Sequence, residues 1–144
     1  MLARFPNPWV IRGRRDDSHV TQAGRFIKLA VAALIAAVRI MQFVMARDGS
    51  TGQSLTDATD PADRAMLQAF NAKLEGRTAL LKNPHHADSL AWLAWIVARL
   101  GGWSGYTSKG YKPPSPKTIS RGLAKLDAMT HGWKLARFAD VRLP

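Results

Sequence analysis

The sequence predicts an all-α fold, arranged as a compact four-helix bundle or an irregular helical array. Four separate stretches repeat apolar residues at helical spacing, and helix start and stop signals stand at their ends. The links between them are short. In addition, 144 residues with 47% hydrophobic content suffice for a sizeable core. The five tryptophans, Trp9, Trp92, Trp95, Trp103 and Trp133, each need a partly buried setting with a partner for the indole N–H.

The first helix is expected over residues 21–47. Arg25, Lys28, Arg39 and Gln42 fall on one narrow side, while Phe26, Leu29, Ala30, Ala33, Leu34, Ala37, Met41 and Val44 cover much of the rest. This pattern predicts a mostly buried helix that stops at Asp48-Gly49-Ser50, with Gly49 free to take positive φ. The second helix starts with Asp60 as N-cap, Pro61 at N1 and Asp63 in the first turn. Met66, Leu67, Phe70 and Leu74 form its apolar face, and Gly76 suits the residue after its C-cap. Asn83-Pro84-His85-His86 is a second break. Asp88 or Ser89 caps a third helix, Leu90–Leu100, that is apolar on nearly every side and is expected at the centre, ended by Gly101-Gly102. Trp103 and Tyr106 are expected to fold over its end. Ser115-Pro116 opens the last helix, where Ile119, Leu123, Leu126, Met129 or Thr130, and Trp133 recur at helical spacing. The chain then divides into a basic lead-in over 1–20, a helical domain over 21–138 and a tail over 139–144.

Charge points to a polyanion. Lys+Arg is 21 against Asp+Glu 10, a net charge of +11, and the sequence pI is near 10.9. The excess concentrates after Arg99. Lys109, Lys112, Lys117, Arg121 and Lys125 are the candidate DNA-contacting residues, with Tyr106, Tyr111 or Trp103 placed to stack or pack nearby. The blander reading of the same residues is a solvated surface. Trp92, Trp95, Leu100, Trp103, Leu123, Leu126 and Trp133 are the candidate association or core residues.

Other chemistries find little support. The chain has no cysteine, which excludes disulfides and thiolate metal sites and fits a cytoplasmic location. His85-His86 lies in a loop without the further ligands that zinc needs. Ser89, Ser104 and Ser120 have no nucleophile-elbow context. Gly101-Gly102 follows a helix and lacks the third glycine of a dinucleotide fingerprint. Asp57, Asp60 and Asp63 cluster within seven residues, but capping and solvation account for them more simply than a metal pair. No catalytic residue, metal, cofactor or small-molecule substrate is expected. The apolar run Leu29–Val38 is ten residues long before Arg39 interrupts it, where a bilayer span wants roughly 20. Membrane association is therefore ranked below a soluble reading.

The run Ser89-Leu-Ala-Trp-Leu-Ala-Trp-Ile-Val-Ala-Arg-Leu-Gly-Gly-Trp-Ser-Gly-Tyr106 resembles the carboxyl-terminal domain of bacterial cut-and-paste transposases of the transposon-five, or insertion-sequence-four, type. The run Ser115-Pro-Lys-Thr-Ile-Ser-Arg-Gly-Leu-Ala-Lys-Leu-Asp-Ala-Met-Thr-His-Gly-Trp-Lys-Leu-Ala136 is similar to the same region, with weaker matches at Val38–Gln42 and Gly52–Asp57. In that family a ribonuclease-H-like core holds two aspartates and a glutamate for metal-dependent strand cleavage. The helical region after it supports dimerisation near transposon-end DNA. The resemblance implies that role for Ala91–Gly102 and Ile119–Trp133. It also implies a truncated or separately encoded piece without activity of its own, because the family's Tyr…Arg…Glu…Lys segment is absent and Glu75 falls too far downstream to replace its glutamate. The partners it implies are a second copy or a full-length transposase, with duplex DNA as a further contact. An independent basic nucleic-acid-binding module is the main alternative.

Overall fold

The computed structural model describes the backbone of residues 16–105 and 110–139, and the side chains of 21–105 and 110–138. It is all-α, with α1 Asp16–Ala46, α2 Arg64–Leu74, α3 Leu90–Leu100 and α4 Pro116–Ala139. Short 3₁₀ turns occur at Leu55–Asp57, Pro61–Asp63 and Ala79–Leu81. There is no sheet among the described residues. An isolated antiparallel bridge joins Ser54 to Ser89, where Leu55 N–H donates to Asp88 O (2.8 Å) and Leu90 N–H to Gln53 O (3.0 Å). The chain separates into two units, 1–38 and 39–144.

In the first unit, the helix begins at Asp16 rather than Thr21. From Thr21 to Val38 every residue but Gly24, which is half-buried, is exposed. The expectation of a mostly buried helix is overturned here. An apolar surface around most of the helix sets a demand for burial, but it does not supply the neighbours that would meet it. By length and composition Thr21–Ala46 could also cross a membrane.

The second unit has α3 at its centre. Leu90 to Ala98 are all buried, as expected for a helix apolar on every face. Ser89 caps it, its Oγ accepting from Trp92 N–H. At the other end Gly101 is the C-cap and Gly102 takes φ +93°. Gly102 N–H donates to Arg99 O, and Trp103 N–H reaches back to Ala98 O at 2.9 Å. That pair of bonds is a Schellman closure, and it needs a residue free to enter the left-handed region.

Around α3 pack Met66 and Leu67 of α2, Leu55, Phe43 and Ala46 at the end of α1, and Ile119, Leu123 and Leu126 of α4. Trp92 and Trp95 are buried in this core, while Leu100 and Trp103 pack against it half-buried. The two glycines Gly101 and Gly122 set how closely α3 and α4 approach. A Cβ on Gly122 would collide with the carbonyl oxygen of Val97, and one on Gly101 with that of Thr118. Only a residue without a side chain lets the backbones meet this closely.

Polar side chains tie the loops to this frame. Arg99 donates to the carbonyl oxygens of Trp103 (3.1 Å), Ser104 (3.0 Å) and Leu74 (3.3 Å), and its guanidinium lies 5.6 Å from the Trp95 ring. Asn83 donates to Asn71 Oδ1 and Trp92 O, and Glu75 accepts from Asn71 Nδ2 and Asn83 N–H. The lone glutamate thus anchors the loop before α3. Arg39 binds Asp127 through both guanidinium nitrogens, at 3.0 and 3.1 Å. Arg47 donates to Pro114 O at 2.7 Å.

The start signals hold with two changes. Asp60 caps Pro61–Asp63, accepting from Ala62 N–H. Asp63, expected to cap, makes no capping bond and instead pairs with Lys134 at 3.1 Å. A cation from α4 offers its carboxylate a stronger partner than an exposed amide does. Gly76 has ordinary φ; its value is space, because a Cβ there would strike Leu81. Gly49 does take positive φ, at +78°, beside the His85 ring.

Two outcomes follow from this packing. Gly122→Ala should destabilise the fold by about 1–3 kcal/mol through forced separation of α3 and α4, whereas Gly132→Ala, in open space on the same helix, should stabilise it by roughly 0.5–1 kcal/mol; urea midpoints of the two variants distinguish them. Burial lowers the His85 pKa below 6.5, partly offset by the Asp48 charge. The unfolded chain therefore binds the proton more readily, so stability should fall as pH drops through 6.5 towards the lower folded value. His85→Gln should flatten that part of a thermal-melt pH profile.

Candidate nucleic-acid interface

The site is built on the first half of α4 and the connector that leads into it. Ser115 caps the helix, with Thr118 N–H donating to its Oγ at 3.2 Å and Ile119 N–H to its carbonyl at 3.0 Å. Ile119, Gly122, Leu123 and Leu126 face α3 and are buried. With that face committed, Lys117, Arg121 and Lys125 are left exposed on the outside. Their i, i+4, i+8 spacing sets them in one row, about 6 Å apart along the axis. None of the three makes an ion pair with a described residue. Lys117 also stands in the first turn, where the unpaired amides and the positive dipole end reinforce attraction for an anion.

Lys112 stands exposed in the connector that leads into this helix. Its carbonyl accepts from Trp103 Nε1 at 2.7 Å, and it lines a shallow cleft with Ser115 and Thr118. Trp103 meets Tyr111 edge-on, with centroids 5.6 Å apart. Trp103 is thereby fixed as a half-buried post. Tyr111, exposed beside it, is the aromatic ring free to stack on a base. Lys109 and Tyr106 lie outside the described residues.

The fold spends two further cations of this basic region elsewhere. Arg99 is engaged by three carbonyls and Trp95, and Lys134 by Asp63. Of the candidate association residues, Trp92, Trp95, Leu123 and Leu126 are core. Trp133 is 40% exposed, set edge-on to Phe70 with centroids 6.4 Å apart. Beyond it Leu135 and Phe138 are exposed, so the far end of α4 presents apolar surface that the near end does not.

The acidic cluster is divided among separate tasks. Asp57 accepts from Ser54 N–H at 2.8 Å to close a capping box, Asp60 caps its own turn, and Asp63 holds Lys134. No group of three possible metal ligands converges among the described residues. Asp48 is held below the ordinary carboxylate range, chiefly by hydrogen bonds from the Ser50 hydroxyl and amide, and it acts as a turn anchor.

No family model, curated protein or solved structure matches the chain.

If the α4 row meets phosphates, affinity for a short DNA duplex should fall linearly with log salt. Replacing Lys117, Arg121 and Lys125 together by alanine should reduce that slope by about 0.9 for each phosphate that is no longer neutralised. Fluorescence anisotropy over a salt series measures it, with Lys134→Ala as a control expected to leave the slope unchanged.

Proposed function

We propose that this chain is an association and DNA-contacting domain of the cut-and-paste transposase type, with no strand-cleavage activity of its own. The observation that carries the reading is how its two transposase-like segments behave as one unit. Ser89–Tyr106 covers α3, its Schellman closure and the Arg99 clamp; Ser115–Ala136 covers most of α4. The residues that give the first segment its character each have a structural task. Arg99 gathers carbonyls, Gly101 admits Thr118, Gly102 supplies the positive φ, and Trp103 holds the connector through Lys112. In the second segment Gly122 seats α4 against α3. The same pairing turns Lys117, Arg121 and Lys125 outward.

Mechanistically, the domain would bind by long-range attraction to phosphate, with the row on α4 giving orientation and little base reading. Protein association would use the apolar end of α4 around Trp133 and Phe138. The chemistry of strand transfer needs clustered carboxylates to hold divalent metal, and that part of the reaction is assigned to a complete transposase that this domain joins. A chain of this kind would compete with the intact enzyme for a place in its assembly and lower its output.

Purified chain mixed with a complete transposase of the same type should co-purify with it and slow cleavage at the transposon end. Absence of both effects, with the chain demonstrably folded, would remove the transposase reading and leave a general DNA-binding module. Loss of the effect in a Trp133→Glu, Phe138→Glu variant that still binds duplex DNA would place the protein contact at the end of α4.

A further inference from the structure

Six exposed residues of α1 follow a spacing of four, three, four, three and four: Ile27, Val31, Leu34, Val38, Met41 and Met45. This is the 3.5-residue repeat of a coiled-coil seam, in which Val31, Val38 and Met45 take the a positions and Ile27, Leu34 and Met41 the d positions. Each of the six is between 51% and 64% exposed. The residues that α1 gives to the core, Phe43 and Ala46, lie off this seam. The stripe therefore runs unbroken along the helix and is covered by nothing among the described residues.

We propose that α1 pairs with the α1 of a second copy of this chain through that seam. The pairing rests on α1 alone and stands apart from the transposase reading, which concerns α3 and α4. Extent supports it: the seam from Ile27 to Met45 runs about 27 Å along the helix, with every one of its six large side chains more than half exposed. Composition supports it as well. The seam contains no charge, so an identical partner leaves none buried and unpaired. Alanines at positions 30 and 37 border it, where small side chains let two helices approach. Arg25 and Arg39 lie on the far side of the helix, Lys28 flanks the seam at an e position where its ammonium stays in solvent, and Arg39 is already bound to Asp127. A bilayer is a poorer occupant: Thr21–Ala46 is long and apolar enough to span, but a span would carry Arg39, already held by Asp127, into hydrocarbon at a cost of about 2.5–3.5 kcal/mol.

Light scattering of the purified full chain over a broad concentration range tests the pairing, with two variants beside the wild type. Leu34→Glu places a charge in the seam. Ala32→Glu places one on the side of Arg25 and Arg39. Both sites are exposed, so unchanged circular dichroism is expected of each. The wild type and Ala32→Glu should be dimeric, and Leu34→Glu should raise the dissociation constant at least about thirtyfold. A monomeric wild type overturns the proposal, as does a Leu34→Glu dimer of unchanged affinity. Capture of the wild type by vesicles of anionic lipid, lost equally in both variants, assigns the helix to a bilayer and overturns it too, since a spanning helix tolerates a central charge on neither side. A Trp133→Glu, Phe138→Glu variant that remains dimeric while losing its hold on a transposase separates this contact from the one at the end of α4.

Discussion

The second unit depends on the close approach of two backbones. At Gly122 the α4 chain lies against the Val97 carbonyl, and at Gly101 the α3 terminus lies against the Thr118 carbonyl. An α-helix ordinarily keeps a neighbour 8–10 Å away, axis to axis, because side chains stand between them. Removing the side chain at these two points lets Ile119, Leu123 and Leu126 reach the face of α3 together. It also fixes the rotation of α4 about its own axis. The outward face, and with it the row of cations, is a consequence of that rotation.

The same approach explains the density of special residues around α3's end. Once α4 is seated there, the chain must turn out of α3 within a few residues and cross to Ser115. Gly102 makes the turn, Arg99 holds the carbonyls that the turn exposes, and Trp103 reaches Lys112 to hold the returning connector. Buried carbonyls without partners would each cost about 1–3 kcal/mol. Arg99 holds three carbonyls, two of them part-buried, with one side chain whose fork can serve several acceptors at once. That use removes it from the pool of cations open to phosphate. The Lys134–Asp63 pair does the same on the opposite flank of α4.

α1 obeys a different rule. Its part beyond Arg39 is anchored by Phe43, Ala46 and the bidentate bond to Asp127, while residues 21–38 carry apolar side chains into solvent. Hydrophobic surface on this scale marks a site of interaction with protein or membrane. Its two patterns differ in meaning. The overall apolarity says only that water is a poor surrounding, whereas the 3.5-residue stripe of large side chains says which surface a helical partner would meet.

Much of the local structure was legible in the chain of residues. Asp60-Pro61, Ser89, Ser115-Pro116, Gly49 and Gly102 mark helix ends through backbone chemistry that acts over three or four residues, and α3 announces its central place by being apolar on every face. What sequence could not supply was the identity of each neighbour. It placed Phe26 and Leu34 inside because they are hydrophobic, yet burial depends on what packs against them. It gave Asp63 a capping role because it stands in a first turn, yet Lys134, distant in sequence, offers the better partner. Its charge count put Arg99 and Lys134 in the same basic region as Lys117, Arg121 and Lys125, and only the fold shows that those two are held by carbonyls and by Asp63. Local signals mark most helix ends because their causes are local, though α1 starts at Asp16 where the periodicity placed Thr21; burial, pairing and the free face of α4 belong to contacts between residues far apart in the chain, and these exist only once the fold has formed.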